Sequence, residues 1–379
     1  MDVMPHRNIL LLSVSAGAGH VRAAEALRTC AESNLPDVTV THLDVMDFVS
    51  AGFRKLYTDS YLSLVERLPA VWGYLYQATN DAAPDSKMQK LRRAVERLST
   101  RPLRQEIRAR RPDAIICTHF LPAEILSRMI HKEDCDCPVW VQVTDFDLHG
   151  MWVHAGMRGY FAANEEVAFR MAAHGIATEA IHVTGIPIMP AFGMHPQRTL
   201  CAAEHGLDAA RTTILLMGGG AGLGSLDKVA EQLLAIPGDF QLIVLAGRNA
   251  DALASLQRLA ARHPGRLFPQ GFTNRVESLM ACADLVVTKP GGLSTSECLA
   301  MGLPMILNSP IPGQEERNAD YLLEQGAALK ACDAVTLEYR IRLLLGNPVR
   351  LAKTRENAIA LGKPGAAGRV LQTVMAEID

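Results

Sequence analysis

The sequence predicts an α/β protein built from two Rossmann-like domains facing a central cleft, and three observations predict it. Short apolar, β-branched runs end in glycine-rich turns and alternate with helical stretches. This pattern begins at the N-terminus and restarts after residue 211. Between the two runs lies a proline-rich linker, Gly185-Ile186-Pro187-Ile188-Met189-Pro190, followed by His195-Pro196. A chain of 379 residues with 49% hydrophobic content can fill two cores, and it exceeds the rough size of one domain, ~100–200 residues. The expected division is residues 1–190, residues 197–350, and a C-terminal helix in 351–379 that packs back on the first domain.

Taken in order, Asn8 to Val14 reads as a buried strand, Ser15 to Gly19 as a turn, His20 to Ser33 as a helix with alanine and leucine on one face, and Val38 to Leu43 as a second strand. Strands recur at Ala114–Thr118, Val139–Val143 and Gly159–Ala163, separated by helical stretches, which predicts a mainly parallel sheet. The second half opens with strand Thr212–Met217, a turn over Gly218–Gly224, a helix to Ile236 and strand Gln241–Ala246. Strands then follow at Arg266–Gln270, Leu285–Val287 and Pro304–Asn308, and a final helix is expected over about Pro348–Ile378.

Composition excludes several classes. The net charge of −2 argues against nucleic acid as a partner. The eight cysteines, at 30, 117, 135, 137, 201, 282, 298 and 332, have no CxxC spacing, so reduced core thiols are expected, with Cys135 and Cys137 as a lone CxC. Met1–Arg7 leads straight into a strand rather than a signal peptide, and no apolar run approaches the roughly 18 residues that span a bilayer. A cytoplasmic protein, or one resting on the cytoplasmic face of a membrane, is the expectation.

The chemistry concentrates between Ala283 and Ala327. A buried strand ends in the turn Pro290-Gly291-Gly292, and Ser294, Thr295 and Ser296 open a helix that carries Glu297 in its first turn. Without a Cβ at Gly291 and Gly292, an anion can approach backbone N–H groups at the positive end of the helix dipole. Glu297 suits the two hydroxyls of a ribose better than a phosphate. The loop Pro312-Gly313-Gln314-Glu315, with Asn318 behind it, supplies an amide and a carboxylate for sugar hydroxyls. Together these features read as a nucleotide-sugar pocket. A nicotinamide enzyme fits less well, because neither Gly17-Ala-Gly19-His-Val-Arg22 nor Gly220-Ala-Gly222-Leu-Gly224-Ser225 matches GxGxxG. The first half does offer Asp44 as a ribose-binding acid, but the second half has Gly247-Arg248-Asn249 at the equivalent strand end.

TKPGGLSTSE and PIPGQEERNADYLLEQGAA, with SVSAGAGHVRAAEAL at 13–27, VTDFDLHGMWVHAGMRGYFAANEEV at 143–167 and VTGIPIMPAF at 183–192, resemble glycosyltransferase family 28, in particular its diacylglycerol glycosyltransferase branch. That branch includes bacterial processive diacylglycerol glucosyltransferases and plant monogalactosyldiacylglycerol synthases, and the HxxW pattern at His149 and Trp152 is typical of it. The resemblance implies the GT-B fold and transfer of a hexose from UDP-glucose or UDP-galactose to diacylglycerol, by direct displacement with inversion to a β-glycoside. It places Gly218, Gly219, Gly220 and Gly222 along the donor diphosphate opposite Gly291 and Gly292, Arg248 and Lys289 near the phosphates, and Gly271 and Phe272 around uracil. Gly17 and Gly19 belong with His149 and Trp152 on the acceptor side, and the GxGH motif assigns acceptor deprotonation to His20. A helix N-terminus should lower the pKa of His20 and keep it neutral. Asp145 is the rival, as base or as the group that orients a histidine.

Asp145-Phe146-Asp147 also spells a DxD metal motif, but it lies in the acceptor half. Backbone N–H groups and Arg248 can stabilise the diphosphate without an ion, so no metal and no other cofactor are expected. For the lipid, residues 87–111 form a basic segment that includes Arg92, Arg93 and Arg97. Before it comes an aromatic stripe that includes Trp72 and Tyr76, and the two together predict a landing patch for an anionic membrane. Alternatives are a family 28 transferase acting on another lipid acceptor, a UDP-sugar epimerase or hydrolase on the same frame, and a non-catalytic UDP-sugar sensor. Oligomeric state has no sequence signature here.

Overall fold

The computed structural model describes residues 6–15, 17–50, 52, 54, 101–218 and 226–378. The chain forms two compact units. The first comprises Met1–Pro190, Ile311–Gln314 and Gly365–Asp379, and the second Ala191–Pro310 and Glu315–Pro364.

The first unit holds six parallel strands, β1 (Arg7–Ser13), β2 (Val38–Asp44), β3 (Ala114–Cys117), β4 (Val139–Gln142), β5 (Gly159–Ala162) and β6 (Ile181–Val183), in the order β2-β1-β3-β4-β5-β6. The strands read as continuous apolar runs because both sheet faces are covered. One face packs Leu10, Leu12, Ile115, Val139 and Val141 against helices α2 (Arg101–Arg110) and α3 (Phe120–His131). The other packs Ile9, Leu11, Ile116 and Phe161 against Leu27 and Ala31 of α1 (Ala18–Asn34) and against Ala367, Val370, Leu371 and Val374 from the C-terminus. Helix α4 (Glu165–Ala173) follows β5. A buried polar chain ties α1 to the sheet: Ser13 Oγ is 2.7 Å from His42 Nε2, and His42 Nδ1 is 2.6 Å from a carboxylate oxygen of Glu25.

The second unit repeats the plan with β7 (Thr212–Met217), β8 (Phe240–Gly247), β9 (Leu267–Gly271), β10 (Leu285–Thr288), β11 (Met305–Asn308) and β12 (Ala328–Ala331), all parallel in the order β12-β11-β10-β7-β8-β9. Its helices are α5 (Arg198–Glu204), α6 (Leu226–Leu234), α7 (Ala250–Arg262), α8 (Val276–Cys282), α9 (Gly292–Ala300), α10 (Gln314–Glu324), α11 (Ala334–Leu345) and α12 (Pro348–Leu361), and α13 (Ala366–Ile378) belongs to the first unit.

Three local expectations are corrected. The helix expected from Pro348 to Ile378 is two helices, because Gly362 turns extended at φ −63° and ψ 133° and is followed by Pro364-Gly365. A side chain at Gly362 would meet the Leu299 carbonyl oxygen at 2.6 Å. Helix α9 starts at Gly292, two residues before Ser294, so Glu297 lies in its second turn. Gln314 and Glu315 open a helix rather than sit in a loop.

Both sheets reverse direction once, between β1 and β3 in the first and between β7 and β10 in the second. In open parallel sheets the crevice beyond the carboxyl ends of such strands is where ligands bind. No helix among the described residues is long and apolar enough to cross a membrane.

Candidate functional site

In the first unit the reversal point gathers His20, Thr118 and Thr144. After β1 the chain turns through Gly17, whose φ of 151° lies in a region that disfavours side chains. It enters α1 at Ala18, placing His20 in the first turn. His20 Nδ1 is 3.0 Å from the carbonyl oxygen of Thr118, just beyond β3, and 2.9 Å from Thr144 Oγ1, just beyond β4. The Thr118 hydroxyl in turn donates to the His20 carbonyl at 2.9 Å. A carbonyl only accepts, so Nδ1 carries the proton and Nε2 is left with its lone pair.

Aromatic rings close around this imidazole. His119 meets it edge-on with centroids 4.5 Å apart, Trp152 lies at 6.2 Å, and Phe120 stacks near His119 at 4.1 Å. Burial pulls the His20 pKa down to about 4, against the opposing pull of the Thr118 carbonyl. Desolvation, rather than the helix terminus to which the sequence pointed, is the main cause of this lowering.

Asp145 is buried, and Gln314 Nε2 donates to both of its carboxylate oxygens at 2.7 Å, inside the first unit. His149 and Trp152 are buried as well. His149 Nδ1 accepts from the Met151 N–H at 3.1 Å, capping the short turn Gly150–Trp152, and Trp152 joins the core cluster. Gly19 is partly exposed on α1. Asp147 pairs with Arg170. Thr118, His119 and Thr144 were not singled out from the sequence. Their signal was position, since each follows a strand of the parallel sheet at its carboxyl end.

In the second unit the reversal point lies between Gly218, buried at the end of β7, and the turn after β10. Gly219, Gly220 and Gly222 fall outside the described residues, as do the membrane-patch residues Trp72, Tyr76, Arg92, Arg93 and Arg97. Gly291 is the N-cap of α9 and supplies no side-chain acceptor, so the first-turn N–H groups have no intrahelical partner. A Cβ built on Gly291 would come 3.9 Å from Glu315 Oε1, which puts that carboxylate beside the turn. Lys289 and Ser294 are partly exposed here, while Thr295 and Glu297 are buried. The Thr295 hydroxyl has no hydrogen-bond partner among the described residues. Asn318, fully buried, donates to the Pro290 carbonyl at 3.1 Å and so braces the turn.

At the end of β8, Gly247 takes φ 59°, and Asn249 caps α7. Between them Arg248 stacks its guanidinium on the Phe272 ring, 4.4 Å from the centroid. Phe272 is 53% exposed, a large apolar surface beside a cation at a strand end. Gly271 closes β9, where a Cβ would press on Leu253 at 3.2 Å.

Asp44 is committed elsewhere, since its carboxylate accepts from the Ser15 and Met46 N–H groups. At the end of the basic run, Arg104 and Arg108 both pair with Asp134. A cavity of about 600 Å³ in the first unit is lined by residues including Arg104, Arg128, Lys132, Asp134 and His154, and contains none of the expected site residues. Among the described residues no cluster of three or more His, Cys, Asp or Glu side chains is arranged to hold a metal ion.

Two family profiles match the chain. Residues 20–188 match monogalactosyldiacylglycerol (MGDG) synthase, and residues 213–370 match the glycosyltransferase family 28 C-terminal domain. A processive diacylglycerol beta-glucosyltransferase of Bacillus cereus (strain AH187) is 27% identical over 373 residues, covering 97% of this chain and 93% of that protein. The same-named protein of Bacillus pumilus (strain SAFR-032) is 27% identical over 379 residues, covering 99% and 96%. Among solved structures, MurG of Acinetobacter baumannii superposes with a TM-score of 0.62 at 16% identity, over 98% of this chain and 99% of that one. The UDP-GlcNAc 2-epimerase of Neisseria meningitidis, bound to UDP-GlcNAc, superposes with a TM-score of 0.61 at 12% identity, over 98% and 100%. At these identities the structural likeness carries the fold, which is GT-B.

Proposed function

Because this chain belongs to glycosyltransferase family 28, in its diacylglycerol glycosyltransferase branch, we propose that it moves a hexose from UDP-glucose or UDP-galactose to diacylglycerol or a glycosyl-diacylglycerol. The product is a β-glycolipid formed at a membrane surface. The observation that carries the reading is the His20 imidazole, neutral and with its proton held on Nδ1 by Thr118. In the proposed reaction Nε2 takes the proton of the acceptor hydroxyl as that oxygen attacks the anomeric carbon. The bond from that carbon to the UDP oxygen breaks on the opposite face, inverting the centre, and UDP leaves with the electron pair.

The leaving diphosphate would rest on the glycine turn after β10, where first-turn N–H groups and the helix dipole favour negative charge. Arg248 would add a cation, and the exposed Phe272 ring beside it suits the flat face of uracil. Glu297, Gln314 and Glu315 remain the group assigned to ribose and hexose hydroxyls, and the buried Asn318 serves them by bracing the turn through the Pro290 carbonyl. In this reading Asp145 orients rather than accepts, because its carboxylate already receives the Gln314 amide. No metal has a part in the proposal. The relatives' name favours glucose as the sugar.

The test incubates the full chain with diacylglycerol in anionic liposomes and either UDP-hexose, with and without chelator, and follows glycolipid by mass spectrometry beside His20→Ala. Chelator-resistant glycolipid that disappears in the variant is the expected result, and the productive donor names the sugar. Free UDP and hexose without glycolipid would overturn the diacylglycerol acceptor in favour of hydrolysis or another lipid.

A further inference from the structure

The loop between α3 and β4 carries two thiols for which the transfer reaction has no use. The Sγ atoms of Cys135 and Cys137 are 3.7 Å apart, in van der Waals contact. Both residues are partly exposed, whereas Cys30, Cys117, Cys201, Cys282 and Cys298 are buried, and all are reduced. Two residues apart, their Cα atoms are separated by about 7 Å at most, within or at the upper edge of what a disulfide spans.

The loop is pinned on both sides of the pair. Asp134 takes Arg104 and Arg108 of α2 on its carboxylate and donates its backbone N–H to the Met129 carbonyl at 2.8 Å. Past the pair, the Pro138 carbonyl accepts from Ile115 N–H at 3.0 Å, at the head of the sheet. Ends held this way keep the two sulfurs together, which is the preorganisation a two-thiol reaction needs. The hydrogen bond between the two sulfurs draws the Cys135 pKa below its ordinary value and, with burial and the neighbouring charge, holds Cys137 well above it. The thiolate is the attacking form, so Cys135 is the sulfur equipped to react first.

We infer that Cys135 and Cys137 are a redox-active dithiol, a modification site that closes to a disulfide within the loop when it meets a small-molecule disulfide such as oxidised glutathione. The Cys135 thiolate attacks one glutathione sulfur and expels the other as glutathione thiolate, leaving a mixed disulfide. The negative neighbour that kept Cys137 protonated is then gone. Cys137 loses its proton to solvent, attacks Cys135 Sγ and expels the second glutathione thiolate. Two protein thiols are oxidised and one disulfide is reduced to two thiols, so protons and electrons balance. None of the residues assigned to sugar transfer takes part.

The test treats the full chain with oxidised glutathione, blocks remaining thiols with iodoacetamide in denaturant, and examines the tryptic peptide Glu133–Arg158, which contains both cysteines. The expected peptide loses both alkylation sites together and is lighter than the dithiol by two hydrogens, and dithiothreitol restores it. Cys137→Ser should trap glutathione on Cys135. Two free thiols after excess oxidant, or a wild-type peptide that stops at the glutathione adduct, would overturn the inference.

Discussion

His20 Nδ1 lies 3.0 Å from the carbonyl oxygen of Thr118, a group that cannot donate, and this one contact assigns the imidazole proton. The ring is then a base at Nε2, and burial holds its pKa near 4 instead of 6.5. The sign of the linked stability change follows. Below pH 6.5 the unfolded chain binds a proton that the folded chain refuses until about pH 4, so stability falls as pH falls through that window and is unaffected above it.

Nitrogen NMR of labelled protein should show His20 as the Nδ1–H tautomer at pH 7, titrating near pH 4. His20→Gln should flatten the loss of stability between pH 6.5 and 4 and lower transfer by roughly 10²–10⁴-fold, the usual worth of a general base. A titration midpoint near 6.5 would show that the ring is not desolvated in the folded chain.

Arg248 and Phe272 offer a second test. Their stacked geometry, at 4.4 Å, predicts a double-mutant coupling of about 0.5–1 kcal/mol in stability, as for cation–π pairs at exposed sites. If the guanidinium serves the diphosphate, Arg248→Ala should weaken UDP binding by calorimetry roughly ten- to a hundredfold, the range of a lost charge-assisted hydrogen bond. Unchanged UDP affinity would confine the arginine to a surface role.

Gly291→Ala separates folding from binding. Gly291 has φ −71°, open to any residue, and its added Cβ meets nothing closer than Glu315 Oε1 at 3.9 Å. The melting temperature should therefore stay within about a degree or two of wild type, since surface changes of this kind fall within ~0.5 kcal/mol. UDP affinity should fall sharply, because the methyl group occupies the anion's approach to the N–H groups. Loss of stability with intact binding would place the ligand elsewhere.

Asn318→Leu should do the opposite. It leaves the Pro290 carbonyl without its buried donor and should cost about 1–3 kcal/mol in denaturant unfolding, with UDP affinity reduced only through the slackened turn. Truncation after Gly365 should be more severe, because Ala367, Val370, Leu371 and Val374 fill the face of the first sheet against Leu27 and Phe161. The truncated chain is expected to expose that apolar face and lose the first unit's cooperative unfolding transition, read by thermal circular dichroism.

Much of this molecule was determined by sequence alone. Apolar β-branched runs that stop at glycine turns and feed helices are best buried as strands of parallel sheets, so most strands of the described residues follow from local pattern, while the edge strands Ile181–Val183 and Ala328–Ala331 did not stand out. The glycine turn after β10 and the GxGH entry to α1 were equally legible, because a backbone that must approach a ligand closely admits few residue types. The tertiary structure decided what depends on strand order and burial. Only the strand order β1-β3-β4 brings Thr118 and Thr144 onto His20, across sequence separations of 98 and 124 residues that no local pattern encodes. The same holds for the neutral state of His20, since desolvation is a property of the packed surroundings and not of a residue's place in a helix. At the C-terminal break, by contrast, Gly362 and Pro364-Gly365 are stop signals written in the sequence, and tertiary packing decides only that the following helix belongs to the first unit.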